Sequence, residues 1–412
     1  MTQPIPRVLI QETLANDRLP RAQVSRIWGG QRSGETCDGG EATVRRTHPA
    51  MSKGLARGLA VATFAALSAM SCVASAGVAT KITSCGTLDT FGGTYVLTAN
   101  LTSCDTCLVV ANNRITIDLA GYTISGSCKA RDCAGDDVLC QGPRAGVTEG
   151  GTPWLGTTVK NGTITGFDVG IDLALSTQNV IRGLTSSANS ADGIMVGNHS
   201  LVKDSLIEGN GQDGIFITDF GQVEDCTIGG PTEAYPTAQG NKGFGISGFS
   251  RLLIRNNMVV GNQTGIFVGD FSTVSFNTAS GNSTTGVYAG IHSLVTSNET
   301  TGNGNGDIGG DGGAGIIAGG LSTVSYNISS GNVGGGIAVT NDEFGDGTRS
   351  LVTGNITNSN GNAGVEAWCP STVTNNQSSG NGGNIANRSL VTDSMNYDYN
   401  GPPEACRTKN NK

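Results

Sequence analysis

The sequence repeats one pattern in GIFVGDFSTVSFNTASGN (residues 265–282), GVYAGIHSLVTSNETTGN (286–303) and GIIAGGLSTVSYNISSGN (315–332). Each copy opens with Gly and an apolar residue, continues into a second short apolar segment, and ends in an Asn turn and a Gly-Asn corner. In the first segment, Ile266 and Val268 alternate with Phe267, which is the two-residue period of a strand with one buried face. Each copy is therefore predicted to hold short strands joined by tight turns.

The opening Gly returns along most of the chain, usually after 20 to 23 residues and three times after a longer interval. It occurs at Gly170, Gly193, Gly214, Gly245, Gly265, Gly286, Gly315, Gly336 and Gly364. Such an interval is typical of repeat proteins in which each unit packs on its neighbours. No 3.6-residue period supports helical repeats, and the Leu framework of leucine-rich repeats is missing. The sequence predicts an all-β, single-stranded parallel β-helix, a solenoid of about ten or more coils.

One column of asparagines recurs three residues after the inward Val or Ile of the second strand. Its members are Asn257, Asn277, Asn298, Asn327, Asn355 and Asn376, with Ser205, Cys226 and Ser394 at the same place in other coils. Stacked coils place them about 4.8 Å apart. An amide can donate to one neighbour and accept from the other, so we expect a buried hydrogen-bonded ladder. Cys226 is then expected to be a buried free thiol, and Asn-x-Ser/Thr triplets in this column are not interpreted as glycosylation sites.

The segments GTYVLTANLT (93–102) and ITIDLAGYTISG (115–126) resemble the opening coils of right-handed parallel β-helix proteins of the pectate-lyase-like superfamily. The resemblance continues through the Gly-Ile coils to about residue 400. It implies the fold and a range of functions that includes polysaccharide lyases, glycosidases, epimerases and adhesins. The combination of His-Gly and Arg-x-Lys motifs of polygalacturonase-like members is missing, because the sequence has no His-Gly, and so is the Asp-Pro-His of epimerase-like members. No catalytic residue is carried over.

The beginning of the chain is interpreted as an export signal. Met51 opens a segment with Lys53 and Arg57, an apolar run over 59–70, and Ala-Ser-Ala at 74–76. This is the pattern of a secretory signal peptide, residues 51–76, cleaved after Ala76. A lipoprotein signal at Cys72 is the alternative. Residues 1–50 are interpreted as a mis-assigned or disordered N-terminal extension, and the mature protein is expected to be secreted, periplasmic or on the cell surface.

Cysteines cluster in the predicted N-terminal cap and first coils, residues 77–158, ahead of β-helix repeats over 159–400 and a polar C-terminal tail over 401–412. In an exported protein such a cluster indicates disulfides that protect the first coil. The candidates are Cys85, Cys104, Cys107, Cys128, Cys133 and Cys140, with Cys369 and Cys406 near the C-terminal end. A zinc half-site or a redox pair at Cys104 and Cys107 is the alternative.

The net charge of the chain limits the classes of molecule that it can bind. The chain has 25 Lys and Arg against 33 Asp and Glu, of which residues 1–76 hold nine and five, so the remainder carries a net charge of −12. No basic stripe is present, which argues against nucleic-acid binding. An acidic polysaccharide would need local cations or a bound metal. The mature chain has no apolar run long enough to span a membrane.

Two pairs of aspartates are the candidate catalytic residues. Asp192 and Asp213 share a position in adjacent coils, about 5 Å apart, while Asp219 and Asp270 share another two coils apart, about 10 Å. Paired carboxyl groups separated by about 5 to 9.5 Å carry glycoside hydrolysis. They could also bind calcium, or be solvated turn residues.

Basic residues suggest a different chemistry on another part of the solenoid. Lys203, Arg251 and Arg255 accompany Asp204, Glu224 and Asp225, an arrangement that fits either a calcium-dependent lyase site or surface ion pairs. Calcium is expected only for a lyase, and no other cofactor is evident.

An outward column is the candidate substrate-binding surface. Phe216, Phe267 and Tyr288 follow Met195 and precede Ile317, with Ser247 interrupting them. Exposed aromatic rings in register can contact sugars or a protein partner, unless the insertion at 230–242 covers them.

His199 and His292 are interpreted as turn or core packing. Further insertions at 304–313 and 341–349 are places where a site could be built.

These features give two hypotheses of different kinds. The first is a secreted β-helix that contacts a polysaccharide or cell-surface glycan, as a binding module or as a lyase or glycosidase. The second is an extracellular structural or adhesive rod without chemistry. Fold resemblance does not decide between them, and the oligomeric state is not predicted.

Overall fold

The computed structural model describes residues 78–126, 144–230, 239–304, 313–340, 349–368, 370–382 and 407–411. Within these ranges the chain consists of strands and turns without helices. The predicted extension and signal peptide lie outside the described residues, as do Ser394 and most of each insertion. So do five of the cysteine candidates: Cys128, Cys133, Cys140, Cys369 and Cys406. No helix of membrane-spanning length and apolarity occurs in the described ranges.

Each coil contributes strands to three faces, and the first face is a twelve-stranded sheet. Its strands are Gly86–Leu88, Leu108–Val110, Ala145–Thr148, Val169–Leu173, Ile194–Val196, Ile215–Ile217, Phe244–Gly248, Thr264–Val268, Val287–Ala289, Ile316–Ala318, Ile337–Val339 and Val365–Ala367. Twelve strands agree with the prediction of about ten or more coils.

The second and third faces form one 24-stranded sheet, because the long strands Thr158–Thr165 and Val180–Ser187 run through both. The second face also contains Thr80–Ile82, Thr94–Leu97, Thr116–Asp118, Leu201–Lys203, Gln222–Glu224, Leu253–Arg255, Thr273–Ser275, Leu294–Thr296, Thr323–Ser325, Leu351–Thr353, Thr372–Thr374 and Arg407–Lys409. The third face also contains Leu101–Ser103, Thr123–Gly126, Leu206–Glu208, Thr227–Gly229, Met258–Val260, Thr278–Ser280, Glu299–Thr301, Ile328–Ser330, Ile356–Asn358 and Gln377–Ser379.

Parallel pairing between successive coils fixes the register of the whole stack. On the first face Ile266 pairs with Val287, and Val287 pairs with Ile316. The same offset keeps every inward side chain above its equivalent, so Ile, Val, Leu and Ala columns fill the core with almost no exposed surface. Burial of each large aliphatic side chain contributes about 1.5–3 kcal/mol. The repeat period read from the sequence thus sets both the core and the outward columns.

Two asparagine ladders line the turns between faces. The predicted ladder is confirmed: Asn257 donates to Asn277 Oδ1 at 3.0 Å, and the chain of contacts continues to Asn376. The sequence reasoning missed a second ladder at the corner that leads into the next coil. It consists of Asn189, Asn210, Asn241, Asn262, Asn282, Asn303, Asn332, Asn360 and Asn381. Both ladders satisfy turn amides and carbonyls that the core would otherwise leave unpaired.

The predicted cysteine cluster near the N-terminus contains a disulfide in the described part of residues 77–158. Cys85 and Cys107 form a disulfide next to paired strands of the first face, so the bond links two successive coils. Cys104 is also disulfide-bonded. Since Cys107 is bonded to Cys85, the alternative of a redox pair or zinc half-site at Cys104 and Cys107 is wrong. Cys226 is a buried free thiol as predicted, and burial raises its pKa to about 12.

Residues 407–411 of the predicted polar C-terminal tail over 401–412 belong to the solenoid. Arg407–Lys409 pairs with Thr372–Thr374 as a further strand of the second face. Asn411 accepts a hydrogen bond from Asn376 and donates to Val373 O at 3.0 Å, so it extends the predicted ladder by one coil. A short strand whose turn residue is an asparagine can continue the stack although its sequence is polar.

Candidate functional site

The outward column of the first face carries the predicted aromatic residues. Register pairs Met195 with Phe216, Phe216 with Ser247, Ser247 with Phe267, Phe267 with Tyr288 and Tyr288 with Ile317. The column is thus continuous over six coils, as the repeat predicts. Phe267 and Tyr288 stack with ring centroids 4.7 Å apart, and 37% of the Phe267 side chain is exposed.

Two phenylalanines outside that column complete the surface. Phe244 lies 5.0 Å from the Phe267 ring, and Phe249 meets Phe216 edge to face at 5.5 Å. Phe249 is 55% exposed. We call Phe216, Phe244, Phe249, Phe267 and Tyr288 the aromatic cluster. The five rings come from four successive coils and form two contacting groups, Phe216 with Phe249 and Phe244 with Phe267 and Tyr288.

Asp192 and Asp213 lie at the corner that precedes the first-face strands. Asp192 Oδ1 accepts a hydrogen bond from the Asp213 amide at 2.8 Å, which confirms that the two residues are neighbours. Asp213 accepts from the Phe244 amide at 2.9 Å and from Ser247 Oγ at 2.5 Å. Burial raises the pKa of Asp192, and the carboxylates of Asp213 and Asp172 raise it further.

Asp219 and Asp270 lie at the opposite corner, after the first-face strands. Asp219 accepts from the Ser250 amide at 2.9 Å and Asp270 from the Ile291 amide at 3.0 Å. All four predicted aspartates therefore cap an amide of the next coil. In Asp192, Asp219 and Asp270 the second carboxylate oxygen accepts no hydrogen bond from any described residue. The structure brings Asp192 and Asp213 together and separates them from Asp219 and Asp270 by the aromatic cluster.

Two further carboxylates were missed by the sequence reasoning. Asp172 pairs in register with Met195, so it continues the outward column toward the N-terminal end. Glu149 is buried and accepts from the Leu175 amide at 2.9 Å. Burial raises the pKa of both groups. Asp172 was detectable in principle, because it stands two residues after Gly170 as Phe216 stands after Gly214.

A second exposed column follows the aspartates of the opposite corner. It consists of His199, Phe220, Arg251, Phe271 and His292, which we call the corner ladder. The backbone of each member is left-handed, with φ of 57–60°. His199 stacks on Phe220 and His292 on Phe271, while the Arg251 guanidinium lies 5.2 and 5.4 Å from the two phenylalanine rings. The two histidines interpreted as turn packing thus belong to one continuous strip beside the first face.

The basic residues of the lyase hypothesis are dispersed. Lys203 pairs with Asp204 at 3.3 Å, and Arg255 Nε donates to Glu224 at 2.7 Å, both on the second face. Arg251 belongs to the corner ladder instead. No group of three or more His, Cys, Asp or Glu side chains in the described ranges is arranged to hold a metal ion. The basic residues of this hypothesis are thus divided between two ion pairs and the corner ladder.

A family model described as the right-handed β-helix region matches residues 87–234. Together with the parallel pairing of twelve coils, this match decides the fold. The chain is a right-handed parallel β-helix protein. No curated protein matches the sequence of this β-helix protein.

Solved structures similar to the β-helix protein include three from different proteins. The Dettilon tailspike protein (gp208) is 16% identical with a TM-score of 0.49, over 74% of this chain and 62% of that one. The periplasmic alginate epimerase AlgG is 13% identical with a TM-score of 0.40, over 80% and 75%. The catalytic unit of the GH87 α-1,3-glucanase from Streptomyces thermodiastaticus strain HF3-3 is 14% identical with a TM-score of 0.44, over 79% and 64%. The chain thus spans less than two thirds of the tailspike and glucanase chains.

Proposed function

We propose that the β-helix protein is exported and binds a linear polysaccharide along its first face. The aromatic cluster carries this proposal, because five rings from four successive coils lie along one face in two contacting groups, with Phe249 and Phe267 exposed. Contiguous exposed apolar patches mark interaction sites. Carboxylate oxygens of Asp192, Asp219 and Asp270 flank the rings and can accept hydrogen bonds from sugar hydroxyls. The disulfides support export, since such bonds persist in oxidising compartments.

The repeat also favours a polymer over a small ligand. Equivalent side chains recur about 4.8 Å apart along the axis, so one contact of a regular chain can be repeated in the next coil. The four coils that hold the cluster give an elongated contact surface. A linear glycan lying parallel to the axis would meet rings along its length and aspartates at both edges.

Removal of the two stacked rings is the direct test. We expect Phe267→Ala with Tyr288→Ala to weaken binding to the best ligand of a glycan panel about 10-fold, since each aromatic contact contributes about 0.5–1.5 kcal/mol. Binding is measured by affinity electrophoresis and calorimetry. The matched control is Phe276→Ala with Tyr326→Ala, which removes rings that are 62% and 66% exposed at the corner between the second and third faces. Equal losses in both double variants would contradict the proposed surface.

A glycoside hydrolase is the second candidate function, favoured by the raised pKa of Asp192 beside Asp213. Burial that raises the pKa of one carboxyl is the environment of a general acid, and a neighbouring carboxylate can act as base or nucleophile. If the chain releases new reducing ends from a bound glycan, Asp192→Asn is expected to slow that release about 100-fold. Asp204→Asn, at the corner between the second and third faces, is the control. Unsaturated product formed only with calcium would indicate a lyase, and binding without product leaves a binding module.

A further inference from the structure

The corner ladder alternates two kinds of side chain along the solenoid axis. Its first, third and fifth members are His199, Arg251 and His292, which carry N–H donors, and the members between them are Phe220 and Phe271. The backbone amide of each of the first four members donates to the carbonyl of the residue before the next member, so the strip holds one side chain per coil. The pattern therefore repeats every two coils, a period of about 10 Å.

The residues that precede the ladder members alternate in the same way. Asp219 and Asp270 precede the two phenylalanines, whereas the uncharged Asn198, Ser250 and Ile291 precede the donors. One carboxylate oxygen of each aspartate accepts an amide of the next coil, and the other accepts no hydrogen bond from a described residue. Coils with an N–H donor thus alternate with coils that offer a carboxylate and a ring.

Arg251 is the cation at the centre of this strip. Its guanidinium lies 5.2 Å from the Phe220 ring and 5.4 Å from the Phe271 ring, and the residue is exposed. Its side chain forms no ion pair or hydrogen bond with any residue that the structure describes, whereas Lys203 and Arg255 are both in ion pairs. Because a ring lies on each side of the guanidinium, its exposed part is the N–H edge, which binds a carboxylate with two hydrogen bonds.

The backbone of the ladder favours a binding role over a purely structural one. All five members have a left-handed conformation, which disfavours bulky side chains, and Phe220 and Phe271 remain half-exposed. Glycine or asparagine would fill the position with less strain. Strain of this kind is concentrated at functional sites.

Phe249 joins the ladder to the aromatic cluster. It stands two residues before Arg251 in the same coil, and its ring meets Phe216 edge to face at 5.5 Å. The ladder therefore forms the edge of the surface on which the cluster lies. One glycan that runs parallel to the axis can contact both.

We propose that the corner ladder binds a linear glycan in which acidic and neutral sugars alternate. The inference rests on the proposed binding along the first face. One sugar of an extended chain is about as long as the rise of one coil, so a disaccharide matches the two-coil period. Each acidic sugar places its carboxylate at a donor coil, with Arg251 as the central contact. Each neutral sugar donates a hydroxyl to Asp219 or Asp270.

Charge selects against glycans without this alternation. A polymer of uronic acids alone would place every second carboxylate against Asp219 or Asp270, and like charges disfavour a partner. A neutral polymer would form no charge-assisted hydrogen bond with Arg251. An alternating polymer meets the cation with its acidic sugars and the aspartates with its neutral ones.

Calorimetric titration of defined octasaccharides tests the ligand. The alternating octamers are those of hyaluronan, of unsulfated chondroitin, and of glucuronate with glucose. The others are uronate octamers from polygalacturonate and alginate, and neutral cello- and manno-octamers. We expect one alternating octamer to bind at least about 10-fold more tightly than every uronate or neutral octamer, because its carboxylate adds a charge-assisted hydrogen bond at the central contact.

Variants of the ladder test the contacts. Arg251→Leu should weaken binding of that octamer about 30-fold, and Leu321 shows that leucine adopts the equivalent position, with a φ of 58°. His199→Phe with His292→Phe keeps a ring at both positions and should weaken binding about 10-fold. The control is Arg182→Leu, which removes the same charge from an exposed position of the second face and should change binding by less than about 2-fold.

The outcomes separate this inference from the proposed function. If the ladder variants bind the alternating octamer as the wild type does, while Phe267→Ala with Tyr288→Ala binds it weakly, the ladder is not part of the site and binding at the cluster stands. Loss in the ladder variants alone supports the ladder and removes the cluster from the site. Tightest binding of a uronate or neutral octamer overturns the alternating ligand. Binding of no octamer overturns both proposals and favours the structural rod.

Discussion

Replacing Asn298 with leucine is expected to lower the free energy of unfolding by about 4 kcal/mol. Asn298 is 2% exposed, and its Oδ1 accepts from both the backbone and the side-chain amide of Asn277 at 3.0 Å. Its Nδ2 donates to Val274 O at 2.9 Å and to Asn327 Oδ1 at 3.0 Å. Leucine would leave these buried partners unsatisfied, and each such group costs about 1–3 kcal/mol.

Urea unfolding followed by circular dichroism measures this effect. Because each coil contacts only its neighbours, a defect in the middle of the stack should also let the two parts unfold separately and broaden the transition. Hydrogen exchange should show faster exchange in the coils next to residue 298. Asn358→Ala is the control, since Asn358 Oδ1 accepts from an exposed Ser379 hydroxyl, and it should change stability by less than about 0.5 kcal/mol. If the urea midpoint of Asn298→Leu equals that of the wild type, the asparagine ladder contributes little to the free energy of unfolding.

The ladder around Asn298 was predictable because one residue type recurs at a constant offset from an inward valine. The second ladder recurs as regularly, yet its Gly-Asn dipeptide has an adequate local explanation as a turn. A turn explains the glycine of this dipeptide, but it gives no indication that the asparagine side-chain amide is buried. Only the stacking of coils shows that Asn282 donates to Asn303 across 21 residues.

The repeat also predicted which site residues lie next to each other. In a parallel stack, residues at the same offset from the opening Gly lie above one another in successive coils. Asp192 and Asp213 are adjacent for that reason. Their hydrogen bonds to the next coil were not predictable, since they depend on the rotamer of each carboxylate at the corner. The sequence alone therefore predicted that the two aspartates are adjacent. It did not predict that one oxygen of each carboxylate accepts a hydrogen bond from a backbone amide of the next coil.

The corner ladder was missed for a conformational reason. Left-handed positions favour glycine or asparagine, so the bulky residues of this column did not indicate that backbone conformation. A bulky residue in this conformation is strained by about 1 kcal/mol or more, which makes repeated use of the position informative. The signal was present, since His199, Phe220, Phe271 and His292 all stand six residues after the opening Gly. The interpretation of the two histidines as turn or core packing left the contacts along this column unpredicted.

Replacing Gly265 with alanine is expected to destabilise the protein by at least about 3 kcal/mol. A β-carbon at this position would lie 2.8 Å from Asn282 Nδ2 and still closer to the carbonyl oxygen of Gly286. That carbonyl accepts the Ile266 amide at 2.9 Å, so it cannot move without loss of the pairing between coils. The amide of Asn282 is fixed by the second ladder. The opening Gly of the repeat is therefore required by close approach of backbone and amide, and its φ is not the reason.

Gly86→Ala provides the matched comparison, because a β-carbon at Gly86 meets nothing within 4 Å. Both glycines lie on or beside first-face strands, so the two substitutions differ mainly in the space available. Thermal and urea unfolding of the two variants should separate by at least about 3 kcal/mol, with Gly86→Ala near the wild type or slightly more stable. Equal stabilities would mean that the coils can spread apart at Gly265, and the spacing that aligns the aromatic cluster would then be less rigid than the ladders suggest.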